Sequence, residues 1–147
     1  MNNDVGLADK PVKASLLTRT VVVCDDRQEI RDAISGLVAL LPDLELVGTA
    51  GDAYAGLAIV RTARPDVLIM DVNMPGGGPD AARTARAIHP TMHIIVFSGQ
   101  NGEDVREEML GAGADQYVVK TGRLTPLMSA LRQAGGQPPQ LPTQRGR

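Results

Sequence analysis

The sequence predicts an α/β domain: a doubly wound parallel sheet of five strands with helices on both faces. Three observations predict it. Short, continuous, β-branched apolar runs recur along the chain, as strands buried on both faces require. Stretches with a helical apolar stripe fall between them. The links are short, and a repeated β-α order with short links implies parallel strands, right-handed crossovers and helices on both faces. At 147 residues the chain has room for one such domain, large enough to bury a core without staples.

The elements follow in order. The run Thr20–Cys24 (TVVVC) predicts the first strand. Ile30, Ile34, Leu37, Val38 and Leu41 then fall on one helical face, and Pro42 stops that helix. The run Leu44–Ala50 (LELVGTA) mixes polar with apolar residues, which suits a strand at a sheet edge. A helix over Ala53–Ala63 follows, with Asp52 as its N-cap. The run Val67–Met70 (VLIM) is a buried strand. Pro79 opens the third helix, since proline fits the first helical position. The run Ile94–Phe97 (IIVF) is the fourth strand. Val105, Met109 and Ala112 mark the fourth helix, with Gly113 as its C-terminal glycine. Gln116–Lys120 (QYVVK) reads as the other edge strand. Thr125-Pro126 caps and opens the fifth helix, which buries Leu127, Met128 and Leu131.

The domain is expected over 18–134. Residues 1–17 lack sustained periodicity and are expected to be flexible. So is the tail 135–147, GGQPPQLPTQRGR, whose Gly, Pro and Gln cannot bury a core. The formal net charge is −2, without the clustered basic excess of a nucleic-acid binder. Arg145 and Arg147 are too few to make a basic arm. The start of the chain has no signal-peptide h-region, and no apolar run reaches the ~18 residues of a membrane span. Cys24 has no second cysteine to pair with, so a reducing compartment suits the chain. A cytoplasmic protein is expected.

Ligands of open α/β sheets bind beyond the carboxyl ends of the strands. The predicted strands end in Cys24-Asp25-Asp26, Asp71-Val72-Asn73-Met74-Pro75, Ser98-Gly99 and Tyr117-Val118-Val119-Lys120. One rim would therefore gather three carboxylates, a hydroxyl and an ammonium. Carboxylates so close repel one another unless a cation joins them. Mg²⁺ fits, because it takes oxygen ligands from one or two carboxylates plus phosphate oxygens. A carboxylate beside Mg²⁺ can attack a phosphoryl group to give an acyl phosphate. The metal and Lys120 would neutralise the charge on the transferring group, and the hydroxyl would hydrogen-bond it.

These residues resemble a response-regulator receiver domain of the CheY-like type. The matching pieces are Asp25-Asp26, Asp71-x-Asn73-Met74-Pro75, Ser98-Gly99, Gly111-Ala112-Gly113-Ala114-Asp115 and Tyr117-x-x-Lys120. No piece is specific alone; five in this order are. The resemblance implies a flavodoxin-like (βα)5 fold with strand order 2-1-3-4-5. It implies that Asp71 is the phosphoacceptor, and that Asp26 binds Mg²⁺ directly while Asp25 does so mainly through water. Asn73 would add its backbone carbonyl. Ser98 and Lys120 would contact the phosphoryl oxygens, and Tyr117 would turn inward as an aromatic switch when Ser98 moves. Asn73 and Gln100 would tune hydrolysis of the acyl phosphate, and Gly99 would leave the acceptor open to donors.

The same resemblance implies a histidine kinase or phosphotransfer protein as donor. It points to the fourth helix, fifth strand and fifth helix as the output face, with a phosphorylation-dependent homodimer or another output partner. The sequence is most similar to receivers of the NarL/FixJ type, usually followed by a LuxR-type helix-turn-helix. That output domain, and direct nucleic-acid binding, are not expected in these residues. The loop Gly76-Gly77-Gly78-Pro79 departs from the many receivers that have glycine at the position of Pro79.

Other readings fit less well. A receiver-like module that binds or dimerises without phosphorylation would not need the complete rim. A phosphatase with a carboxylate nucleophile would need an acid two residues beyond it, where Asn73 cannot serve. A conventional enzyme is therefore not expected, only self-catalysed phosphoryl transfer and slow autodephosphorylation. The three glycines at 76–78 lack the Lys-Ser/Thr of a P-loop. His89 and His93 lack metal-ligand spacing, and Cys24 reads as a small buried hydrophobe.

Overall fold

A computed structural model describes residues 18–136 of the chain. The elements are β1 (Arg19–Cys24), α1 (Gln28–Ala39), β2 (Leu44–Ala50), α2 (Ala53–Ala63), β3 (Val67–Met70), α3 (Pro79–Ile88), β4 (His93–Ser98), α4 (Glu103–Gly111), β5 (Gln116–Val119) and α5 (Thr125–Gly136). The strands form one parallel sheet in the order β2-β1-β3-β4-β5. This is the expected flavodoxin-like topology, with β2 and β5 at the edges.

Alternation along the strands divides the core in two, because successive side chains point to opposite faces. Val22, Cys24, Leu68, Met70, Ile94 and Val96 face one side, where Val60, Ala82, Ala85 and Met109 of α2, α3 and α4 cover them. Val21, Val23, Val67, Ile69, Ile95 and Phe97 face the other, under Ile34, Val38, Leu127 and Leu131 of α1 and α5.

Local chemistry sets the helix ends. The Asp52 carboxylate accepts from the Ala55 N–H at 2.8 Å, capping α2 as expected. At the end of α4, Ala114 N–H donates to Met109 O and Gly113 N–H to Leu110 O. That is the Schellman pattern, and it places Gly113 at φ +127°, where a side chain would be strained. The start of α5 differs from expectation by one residue. Met128 N–H donates to Leu124 O, so Leu124 holds the cap position and Thr125 is the first helical residue. Met128 is half-buried rather than buried. The helix runs to Gly136, two residues past the expected domain boundary. The expected flexible segments, 1–17 and the remainder of the tail at 137–147, lie outside the described residues. Among the described residues no helix is long and apolar enough to cross a membrane.

Candidate functional site

The parallel ladder places the site. Cys24 is level with Met70, and Met70 with Val96. Beyond the strands the ladder continues by one bond each: Asp25 N–H to Ala50 O at 3.0 Å, Asp71 N–H to Cys24 O at 3.0 Å, and Lys120 N–H to Ser98 O at 2.8 Å. These bonds hold Asp25, Asp71 and Lys120 just past the carboxyl edge. β5 ends at Val119, so Lys120 opens the following loop instead of closing the strand.

Asp25 and Asp71 are buried and Asp26 is exposed, yet one oxygen from each lies within 4.8 Å of the others. Lys120 Nζ donates to Asp25 Oδ2 at 2.7 Å and to Asp71 Oδ2 at 3.2 Å. Its ammonium also lies 5.7 Å from the centre of the Phe97 ring, in cation–π range. The remaining oxygens are held by turns. Arg27 N–H donates to Asp25 Oδ1 at 3.0 Å, and Asn73 N–H to Asp71 Oδ1 at 3.3 Å. Arg31 steadies the loop by donating to the Asp25 carbonyl at 2.7 Å.

The donor set is all oxygen and three carboxylates strong, with the fourth charge, Lys120, on one side. A small hard cation such as Mg²⁺ fits that chemistry. The exposed Asp26 is the carboxylate that needs no rearrangement to meet a hydrated ion.

Ser98 and Tyr117 meet at Gln100. Ser98 is fully buried, and its Oγ accepts from Gln100 N–H at 3.2 Å. Tyr117 is only 8% exposed, and its hydroxyl donates to Gln100 O at 2.7 Å. The Gln100 amide donates to Asn73 Oδ1, also at 2.7 Å. The Tyr117 hydroxyl thus points into the fold, toward the loop after β4. Asn73 and Gln100, the two residues that the resemblance gives a shared part in tuning hydrolysis, are bonded to each other. Each lies two residues past a strand-end site residue, but nothing local signals that they touch.

Two supporting features escaped the sequence reading. Arg86 donates to the carbonyls of Pro90, Met92 and Gly113 and pairs with Asp115 at 2.7 Å. Asp115 also accepts from Ile94 N–H. This staples α3 to the start of β4 and gives the Gly111–Asp115 motif a structural role. Asp66 likewise binds Thr20, tying the starts of β1 and β3.

Electrostatics separate Cys24 from the chemistry. Burial, then Asp52 and Asp25, push its thiol up to about 12, so it is a core side chain and not a nucleophile. At the solvent side of the rim, the backbone N–H of Glu29 and then Arg27 hold the Glu29 carboxyl below its ordinary range.

Comparisons with known proteins identify the family and the fold. The sequence model of the response regulator receiver domain matches residues 21–132. The nitrate/nitrite response regulator protein NarL of Escherichia coli (strain K12) is 32% identical over 116 residues, covering 78% of this chain and 54% of the relative. A protein-glutamate methylesterase/protein-glutamine glutaminase of Nocardioides sp. is 37% identical over 116 residues, covering 77% of this chain and 32% of the relative. This chain therefore spans about half or less of the length of those relatives. Among solved structures, the signal receiver domain of NarL from Mycobacterium tuberculosis superposes with a TM-score of 0.76 at 27% identity, covering 83% of this chain and all of that one. With five parallel strands in the 2-1-3-4-5 order and an acidic rim at their carboxyl edge, the chain belongs to the family of response regulator receiver domains of two-component systems.

Proposed function

We propose that Asp71 accepts a phosphoryl group from a histidine kinase or phosphotransfer protein, with Mg²⁺ held by Asp25, Asp26, Asp71 and the Asn73 carbonyl. The observation that carries this reading is the bridging of Asp25 and Asp71 by Lys120, with Asp26 beside them. When bound, the metal supplies positive charge that offsets the carboxylates and polarises the phosphoryl oxygens.

An Asp71 carboxylate oxygen attacks phosphorus. The bond from phosphorus to the donor imidazole nitrogen breaks, and the electron pair stays on that nitrogen. Lys120 Nζ, already at Asp71, follows the negative charge onto the phosphoryl oxygens. The Ser98 hydroxyl leaves the Gln100 backbone N–H and donates to one of them. Water later hydrolyses the acyl phosphate, at a rate set partly by the side chains of Asn73 and Gln100.

The output face in this reading is α4, β5 and α5. A groove of about 310 Å³ runs between these elements, lined by Arg106, Leu110, Tyr117, Val118, Pro126 and Gln133. Tyr117 belongs both to this groove and to the Gln100 junction, so a change at the acceptor is felt there first. A second copy of the chain is one occupant to check, by light scattering with and without beryllofluoride. The unpaired Cys24 suits the reducing cytoplasm, where we place the protein.

Acetyl phosphate or phosphoramidate with Mg²⁺ should add one phosphoryl mass to the intact chain. Asp71→Asn should abolish the addition. A wild-type chain that takes no label under these conditions would overturn the reading.

A further inference from the structure

A continuous hydrogen-bonded path joins Asp71 to Tyr117 without passing through Ser98. It starts at Asp71 Oδ1, which accepts from Asn73 N–H at 3.3 Å. It continues from the Asn73 side-chain oxygen to the Gln100 amide at 2.7 Å. It ends at the Gln100 carbonyl, which accepts from the Tyr117 hydroxyl at 2.7 Å. The first link is the longest and therefore the weakest. It is also the one a change of charge at Asp71 reaches directly.

From this geometry we infer that Gln100 is a positioning residue whose side-chain amide couples the acceptor loop to Tyr117, giving a second connection from the site to the α4–β5–α5 groove beside the Ser98 hydroxyl. The inference rests on the phosphoacceptor reading of Asp71. Three groups on Gln100 are engaged at once: its N–H with Ser98, its carbonyl with Tyr117 and its amide with Asn73. The first two use backbone atoms, and any residue at this position could make them. Only the third needs glutamine. It links loops 27 residues apart in sequence.

The physical basis is shared ordering. The Tyr117 hydroxyl reaches the Gln100 carbonyl in this fold, so the coupling acts on a contact the fold contains and needs no new position. When the Asp71–Asn73 loop is held by a bound phosphoryl group, Gln100 loses freedom through the amide bond. Docking of Tyr117 on its carbonyl then costs less ordering entropy. One hydrogen bond's net worth corresponds to about a fivefold change in the docked-to-undocked ratio of Tyr117.

The test reads Tyr117 directly. The chain has two tyrosines and no tryptophan, so Tyr54→Phe leaves Tyr117 as the single fluorophore. That change keeps the ring lying over Gly76. The phosphoryl probe is saturating beryllofluoride with Mg²⁺, whose binding is followed separately by fluorine NMR. Acrylamide quenching of Tyr117 should fall on binding in the Tyr54→Phe protein, and should still fall when Ser98→Ala is added. The fall should be clearly smaller when Gln100→Ala or Asn73→Ala is added, with no further effect of combining those two. A full Tyr117 response in a beryllofluoride-bound Gln100→Ala protein would overturn the inference alone. So would a response lost with Ser98→Ala but kept with Gln100→Ala. Absence of any fluorine signal from bound beryllofluoride in the parent protein would overturn the phosphoacceptor reading, and this inference with it.

Discussion

Lys120 and Asp25 meet at 2.7 Å across 95 residues of sequence. Asp25 is almost fully buried and the Lys120 side chain is 18% exposed. The same ammonium reaches Asp71 at 3.2 Å. One cation therefore holds two buried carboxylates together, and removing it leaves both charges without their partner.

Lys120→Met should destabilise the domain by about 3 kcal/mol, the low end for a broken buried pair because Lys120 keeps some solvent. Adding Asp71→Asn should recover part of that loss, since it removes one of the stranded charges. Urea unfolding of the two single variants and the double variant measures the coupling. Additive losses would show that the ammonium does not stabilise the Asp71 carboxylate.

Mg²⁺ should raise the unfolding temperature of the wild-type chain, because a ligand that binds only the native state stabilises it. At a hundred times its dissociation constant the gain is about 2.7 kcal/mol. Asp26→Asn should remove most of it at little cost to the metal-free fold, since Asp26 is exposed. Thermal unfolding across a Mg²⁺ titration decides this. Indifference of the wild type to Mg²⁺ would favour a module that binds partners without phosphorylation.

Gly56→Ala should destabilise, although alanine ordinarily favours a helix over glycine by ~1 kcal/mol. A Cβ at Gly56 would sit 2.2 Å from Cys24 Sγ. Overpacking of this kind costs about 1–3 kcal/mol. With Cys24→Ala in place, the nearest atoms to the new methyl would be the residue 24 Cβ at 3.5 Å and Ala50 Cβ at 3.7 Å, ordinary contacts. The double variant should therefore be more stable than Gly56→Ala alone, as measured by denaturant midpoints. If the double variant is the less stable of the two, the close approach of β1 and α2 at this point is not what requires glycine.

Cys24 gives the stability a pH dependence at the alkaline end. Its thiol is raised from 9.0 to about 12 by burial and then by Asp52 and Asp25. Between these values the unfolded chain loses the proton and the native chain keeps it. The contribution is thus fully present below pH 9 and is lost as pH rises toward 12. Cys24→Ala should flatten that decline in a series of unfolding curves. At pH 8 the native thiol should also react with an aromatic disulfide about a thousandfold more slowly than in the unfolded chain, following its thiolate fraction. Equal rates in the two states would contradict the burial of the thiol.

The fold class and the residues at the strand ends are readable along the chain. Runs such as Val67–Met70 and Ile94–Phe97 are local patterns, and local patterns suffice to mark strands. The chemistry of the strand ends is local too, so Asp25, Asp26, Asp71, Ser98 and Lys120 were legible once the strands were. The helix boundaries followed from caps such as Asp52 and Gly113. At Leu124 the boundary shifted by one residue, because a backbone carbonyl, which every residue has, took the cap position. Tertiary structure alone decided which rim residues touch. The Lys120–Asp25 pair, the Asn73–Gln100 bond, the Arg86 staple and the approach of Gly56 to Cys24 all join different loops or elements. Their distances depend on how the sheet twists and how each loop leaves its strand, and no periodicity in the chain encodes either. Tyr117 shows the difference most directly: the resemblance marked it as an inward-turning aromatic, and only the packed fold supplies its partner, the carbonyl of Gln100.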